Sequence, residues 1–203
     1  MTRRIFFLGL FALVFLAARA WEQRALEQPG GILAASPPLQ INEQGRTIRR
    51  DDFTLSVRAR FEIEARVLSS RRYYLGRGSS LSPLDLALGW GPMSDSNVLQ
   101  HLDISQGGRW YRFRFDAESP VNGDQVAVSS SNMHMIPAGP FQEKQLKSLR
   151  TGEIVKIRGL LVDVDTPSGW SWRTSLSRED TGAGACEIVY VESVDLVTGG
   201  SES

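Results

Sequence analysis

Two histidines, one cysteine and five tryptophans are the residues of this 203-residue chain best suited to chemistry or recognition. His101 lies near Asp95 and Asp103, and His134 stands between Met133 and Met135. A histidine with an acidic neighbour can serve as a general base or ligate a hydrolytic metal. Neither histidine has the H-x-x-x-H, H-E-x-x-H or Cys/His spacing that brings two ligands to one ion. The simpler reading of each is a structural hydrogen bond; the chemical one is a hydrolase, metal-dependent or not, that uses His134 or His101. Neither a metal nor a cofactor is expected. Cys186, alone in the chain, opens the apolar run GACEIVYV and reads as a buried, inert thiol. Its neighbour Glu187 opposes thiolate formation, which weighs against a Cys186–His134–Asp triad. The serines show no G-x-S-x-G elbow and no S-x-x-K motif.

A second kind of chemistry is recognition. Trp170, Trp172, Arg173, Arg178, Glu179 and Asp180 fall within one short stretch. Loop tryptophan stacks on a sugar ring, a base or a partner side chain, and arginine adds planar donors. The candidate binding surface is therefore Trp170, Trp172, Arg173, Arg178 and Asp180, with Trp90 and Trp110 near in space. The competing reading has Trp170 and Trp172 capping the open end of a barrel, with Arg178 paired to Glu179 or Asp180. Gly182-Ala183-Gly184 is then a joint, without the helix a phosphate loop needs.

Strands must position these residues. From Phe53 to Val67 apolar side chains hold one parity and polar ones the other, the mark of a strand with one face buried. Its length predicts a bend or bulge near Ala59, or two strands in sequence. Ser82, Pro83, Asp85 and Gly89 spell the cap, first turn and stop of a short helix over Leu81–Gly89. Ser94 or Asp95 caps another, running to about Leu102. Arg109–Phe115 alternates as a half-buried strand. Val121–Asp124 is a turn, Gln125–Ser129 a short strand and Ser130–Ala138 an irregular connection. Phe141–Leu149 is an amphipathic helix. Val155–Val164 is an apolar strand with Gly159 as its bulge point. Pro167-Ser168-Gly169 turns the chain, Trp170–Leu176 returns, and Cys186–Val197 is the last strand. The sum is a mainly β domain over 51–198 with a few short helices, a small barrel or sandwich, followed by a tail at 199–203.

The first twenty residues carry Arg3, Arg4 and Arg19 and no acid, which leaves the remainder at −3 although the whole chain is neutral. A nucleic-acid partner is not expected at that balance. Ile5–Ala18 is an uncharged apolar run behind a basic head. That is a signal peptide cleaved after Ala20, or a single membrane anchor helix with Trp21 at the interface. Either exports the domain. Residues 21–50, with Pro29-Gly30-Gly31 and Pro37-Pro38, read as a linker; Trp21–Gln28 extends the N-terminal helix before them.

A helix followed by Gly152–Gly159 (GEIVKIRG) resembles the approach to a barrel strand in small Greek-key domains of OB type. LGWGPMSD (88–95), SNMHMIPAG (131–139) and GACEIVYVE (184–192) resemble uncharacterised bacterial envelope proteins. That resemblance implies a compartment and no chemistry. The expectation is a non-enzymatic module of the cell envelope, periplasmic or anchored in the inner membrane, with an envelope protein or glycan as partner. The alternatives are the hydrolase above and a structural subunit of a membrane complex.

Overall fold

The computed structural model describes residues 24–177 and 186–197. Two short strands, β1 (Leu39–Asn42) and β2 (Thr47–Arg50), lead into β3 (Phe53–Arg72), which is 20 residues long. β4 (Leu84–Gly89) follows antiparallel. An insertion comes next: a 3₁₀ turn at Gly91–Ser94, α1 (Ser96–Leu99), the hairpin β5 (Leu102–Gly107) and β6 (Trp110–Phe115), and α2 (Gly123–Ser129). The chain returns through β7 (Ser130–Pro137), α3 (Pro140–Ser148), β8 (Ile154–Asp165), the two-residue β9 (Ser171–Trp172) and β10 (Glu187–Leu196).

The order β3–β4–β7–β10–β8 closes on itself, because β8 pairs with β3 as well as with β10. Every contact in the ring is antiparallel except β7 with β10. Closure leaves these five strands no free edge over the paired stretches.

The interior is filled by all five strands, among them Phe61, Ile63, Leu86, Met133, Ile157 and Val189. β8 is buried on both faces: Val155, Ile157 and Leu161 point inward, while Leu160, Val162 and Val164 belong to a second apolar cluster outside the ring. The expected bulge in β3 is present, a register shift against β8 between Val57 and Ala59. It sends one parity to two places. Leu55 and Val57 join the outer cluster, and Ala59 through Val67 join the interior. A shift between Val191 and Ser193 in β10 works the other way and keeps Val191 and Val194 both inside.

Several local expectations give way. Leu39–Asn42 and Thr47–Arg50 are strands on the edge of β3, within the expected linker. Their weak period reflects mostly exposed side chains on a sheet edge. The 24–28 stretch is not helical; Leu26 N donates to Thr151 O at 2.7 Å. The helix expected at Leu81–Gly89 is β4, with all six residues buried. Its capping signals lose to ladders on both edges, worth more than an isolated turn of helix. α1 is shorter than expected and is capped by Asp95. Gln125–Ser129 is helix rather than strand, because Asn122 and Gln125 form a reciprocal capping box. Ser130–Ala138 is the strand β7, buried on both faces and therefore without alternation. Trp170–Leu176 supplies only β9. Among the described residues no helix is long and apolar enough to cross a membrane; the run Ile5–Ala18 lies outside them.

Candidate functional site

The register of β4 with β7 sets Asp85 directly opposite His134. Leu84, Leu86, Met133 and Met135 fill the ring, so the alternate side chains Asp85 and His134 point outward. An outward Asp and His would ordinarily be solvated. Here they are 0% and 3% exposed. Among the described residues three segments cover them: the β3–β4 loop with Tyr73, the tip of the β5–β6 hairpin with Arg109, and β9 with Trp172.

Arg109 is the centre of the cover. The hairpin turn holds it in left-handed backbone (φ 69°), which aims the side chain back at the sheet. Nη1 donates to Asp85 Oδ1 at 2.6 Å and to Ser82 Oγ at 3.3 Å, and Nη2 to the Ser82 carbonyl at 2.7 Å. The guanidinium lies 3.9 Å over the Tyr73 ring and 5.4 Å from that of Trp172. The Arg109 amide donates to Tyr73 Oη at 3.0 Å. Burial, and then the nearby Asp85 charge, raise the Tyr73 phenol above its ordinary value. The His134 ring sits 4.4 Å from that of Trp172.

Asp85 Oδ1 also lies 2.9 Å from His134 Nδ1. The contact lacks hydrogen-bond alignment, and His134 Nδ1 and Asp85 Oδ2 are both without a hydrogen-bond partner. Buried polar atoms in that state cost free energy and mark a place worth explaining. Next to them, Gln106 Nε2 donates to Asn132 Oδ1 at 2.6 Å, and Asn132 Nδ2 lies 3.8 Å from Cys186 Sγ. Burial pushes the Cys186 thiol up, and the Asp85 charge adds to it. Cys186 is half-buried rather than fully buried as expected, and the charge acting on it is that of Asp85 rather than its neighbour Glu187.

The tryptophan loop is pinned to the same face. Trp170 meets Phe53 edge-on at 6.2 Å and Trp172 at 5.9 Å. The Trp170 ring would stand 3.4 Å from a Cβ at Gly78, where φ is +83°. Arg173 forks onto Asp165 with bonds of 3.0 and 2.6 Å, and this pairing raises its pKa. Thr174 N donates to Asp163 Oδ1 at 3.0 Å.

Of the residues singled out in the sequence, Trp170, Trp172 and His134 are brought together. Arg173 lies in the same loop but is committed to Asp165. Trp90 is 3% exposed and belongs to the interior, so the Trp90-Gly91-Pro92 turn offers no tryptophan surface. Trp110, 43% exposed, is the neighbour of Arg109 on the exposed side of the hairpin. Arg178 and Asp180 lie outside the described residues. His101 stands apart. It bonds neither Asp95, which caps α1, nor Asp103, which pairs with Arg114. Its Nδ1 meets the Asp116 carboxylate at 3.1 Å, a contact that holds Asp116 below the usual carboxylate range.

Asp85, Arg109, Tyr73 and Ser82 were missed. One signal was available: an acid inside the apolar run Leu84-Asp85-Leu86-Ala87-Leu88, which must find a cationic partner once both flanks are buried. Among the described residues no group of three or more His, Cys, Asp and Glu is placed to hold a metal ion. The chain matches no protein-family model, no curated protein and no solved structure.

Proposed function

We propose that the chain is a non-enzymatic binding module of the bacterial cell envelope, exported or membrane-anchored, built on a Greek-key barrel of OB type. The barrel assignment is supported by a long bent first strand shared between second and fourth, a parallel third and fifth, and a helix between third and fourth. Barrels of this type take oligonucleotides and oligosaccharides on the face of the second and third strands, between the loops after the first and fourth. The one observation that carries the reading is that these loops meet on that face here. Tyr73, Trp170 and Trp172 converge with Arg109 over β4 and β7.

The partner is an envelope glycan or protein. The −3 balance outside the N-terminus and the internal pairing of Arg109 and Arg173 leave little attraction for phosphodiester chains. A buried Asp–His contact roofed by Trp172 anchors the face; it presents no open base to a substrate. The test replaces both loop rings, Trp170→Ala with Trp172→Ala, in the full chain. Tryptophan fluorescence titrated with peptidoglycan fragments, together with crosslinks in native membranes, should lose at least one ligand or neighbour. An unchanged set on a folded double variant refutes the proposal.

A further inference from the structure

The far end of β3 and the loop after α3 enclose an open groove of about 560 Å³. Its walls include Arg71, Arg72 and Arg150, with Ser69, Ser70 and Thr151 between them and no acidic residue. Arg72 and Arg150 are held in place. Arg72 Nη2 donates to the Lys147 carbonyl, and Arg150 Nε meets Glu153 at 3.1 Å. Arg71, whose backbone is in the β3–β4 ladder, has an exposed side chain that makes no hydrogen bond or ion pair among the described residues, and the same is true of the Arg77 side chain. Between these two arginines the chain presents Tyr74 and Leu75, 77% and 89% exposed. Free cations on both sides of an exposed aromatic and an aliphatic side chain match the headgroup zone of a bilayer, where each meets its preferred medium.

The position of the groove names the occupant. Leu26 is hydrogen-bonded to Thr151, a residue of the groove wall, and Gln28 Nε2 donates to Gly152 O at 2.9 Å. The apolar run ends at Ala18, eight residues before Leu26. Eight residues reach at most about 28 Å. Leu26 and Gln28, within ten residues of the apolar run in sequence, are thus tied to the wall of the cationic groove.

We infer that this groove and the Tyr74-Leu75 tip form a membrane-facing surface that holds the phosphate groups of anionic phospholipids. The inference rests on the anchored form of the function proposed above. Arg71 and Arg77 carry the attraction, Arg72 and Arg150 shape the groove, and Tyr74 and Leu75 enter the headgroup layer.

The test uses the full chain in nanodiscs of phosphatidylcholine alone or with about one-third phosphatidylglycerol, read by amide hydrogen exchange over residues 71–77. Exchange should slow at least about fivefold in the anionic discs, the factor one arginine contributes near such a surface. Arg71→Glu with Arg77→Glu, both exposed and unpaired, should remove the difference while exchange elsewhere is unchanged. Tyr74→Ser with Leu75→Ser should reduce it. Equal exchange in both discs overturns the inference. So does equal protection in neutral discs with inorganic phosphate added, which would make the ligand a free anion, or with an added acidic peptide, which would make it a protein. Intact mass of the chain from native membranes tests the anchor separately. If it shows cleavage after Ala20, the anchor fails, and co-sedimentation of the processed chain with phosphatidylglycerol vesicles decides the groove alone.

Discussion

Replacing Arg109 with Met removes the guanidinium from Asp85 and from over the Tyr73 ring and keeps most of the apolar stem. Asp85 is fully buried, its Oδ2 has no partner, and its Oδ1 is satisfied by Arg109 at 2.6 Å. Breaking a buried pair from one side costs about 3–5 kcal/mol, because the other charge stays buried. The Arg109 side chain is 22% exposed, so solvent screens the pair and places this term near about 3 kcal/mol. The Ser82 carbonyl loses its 2.7 Å donor, adding about 1 kcal/mol. A total near 4 kcal/mol is a large part of the roughly 5–15 kcal/mol that holds a domain together. Asp85→Asn removes the charge at constant size, so Arg109→Met on that background should cost about 2 kcal/mol less than on the wild type. Urea unfolding of the full chain in mild detergent, followed by tryptophan fluorescence, measures all four corners of the cycle. Single and double variants that add within about 0.5 kcal/mol, or an Arg109→Met cost below about 1 kcal/mol, would show that the buried charge is not what Arg109 holds.

Two further outcomes follow from other residues. Burial pushes the Tyr111 phenol up to about 12, against a partial counter-effect from its hydrogen bond to Ser130. The raised value makes its contribution whole below pH about 10 and lost as pH climbs toward about 12, where the unfolded chain has released a proton the folded chain retains. In that window urea unfolding should show wild type losing up to about 1.4 kcal/mol per pH unit more than Tyr111→Phe. Equal slopes contradict the burial. Gly159→Ala places a Cβ 2.0 Å from the Tyr190 carbonyl oxygen across the β8–β10 ladder. It should destabilise at or above the upper end of about 1–3 kcal/mol, measured by the thermal midpoint; a neutral result refutes that close approach.

What could be read in advance depended on whether the signal was local. β3 was legible because its faces alternate, and its bulge because no strand of that length stays straight. That the bulge turns Leu55 and Val57 out and Ala59 in is decided by β8, a hundred residues away. β8, β10 and α3 were legible from apolar runs and a helical period. β4 and β7 were not, because strands covered on both faces lose alternation and leave turn and cap residues as the loudest cues. The Trp170–Trp172 pair was visible as loop composition, and His134 as a histidine among apolar neighbours. Its contact with Asp85 required the β4–β7 register, and the cover by Arg109 required knowing that the hairpin turn faces the sheet.

The parallel pairing of β7 with β10 also governs the order in which the molecule can be made. β10 lies between β7 and β8, so both of those strands precede it along the chain and wait with an open edge for it. Until Glu187–Leu196 has emerged from the ribosome, the ladder on that side is missing and the interior lacks Val189, Val191 and Val194. The register that sets Asp85 against His134 belongs to the β4–β7 edge of the same ring. The ring therefore cannot close until β10 itself has been made.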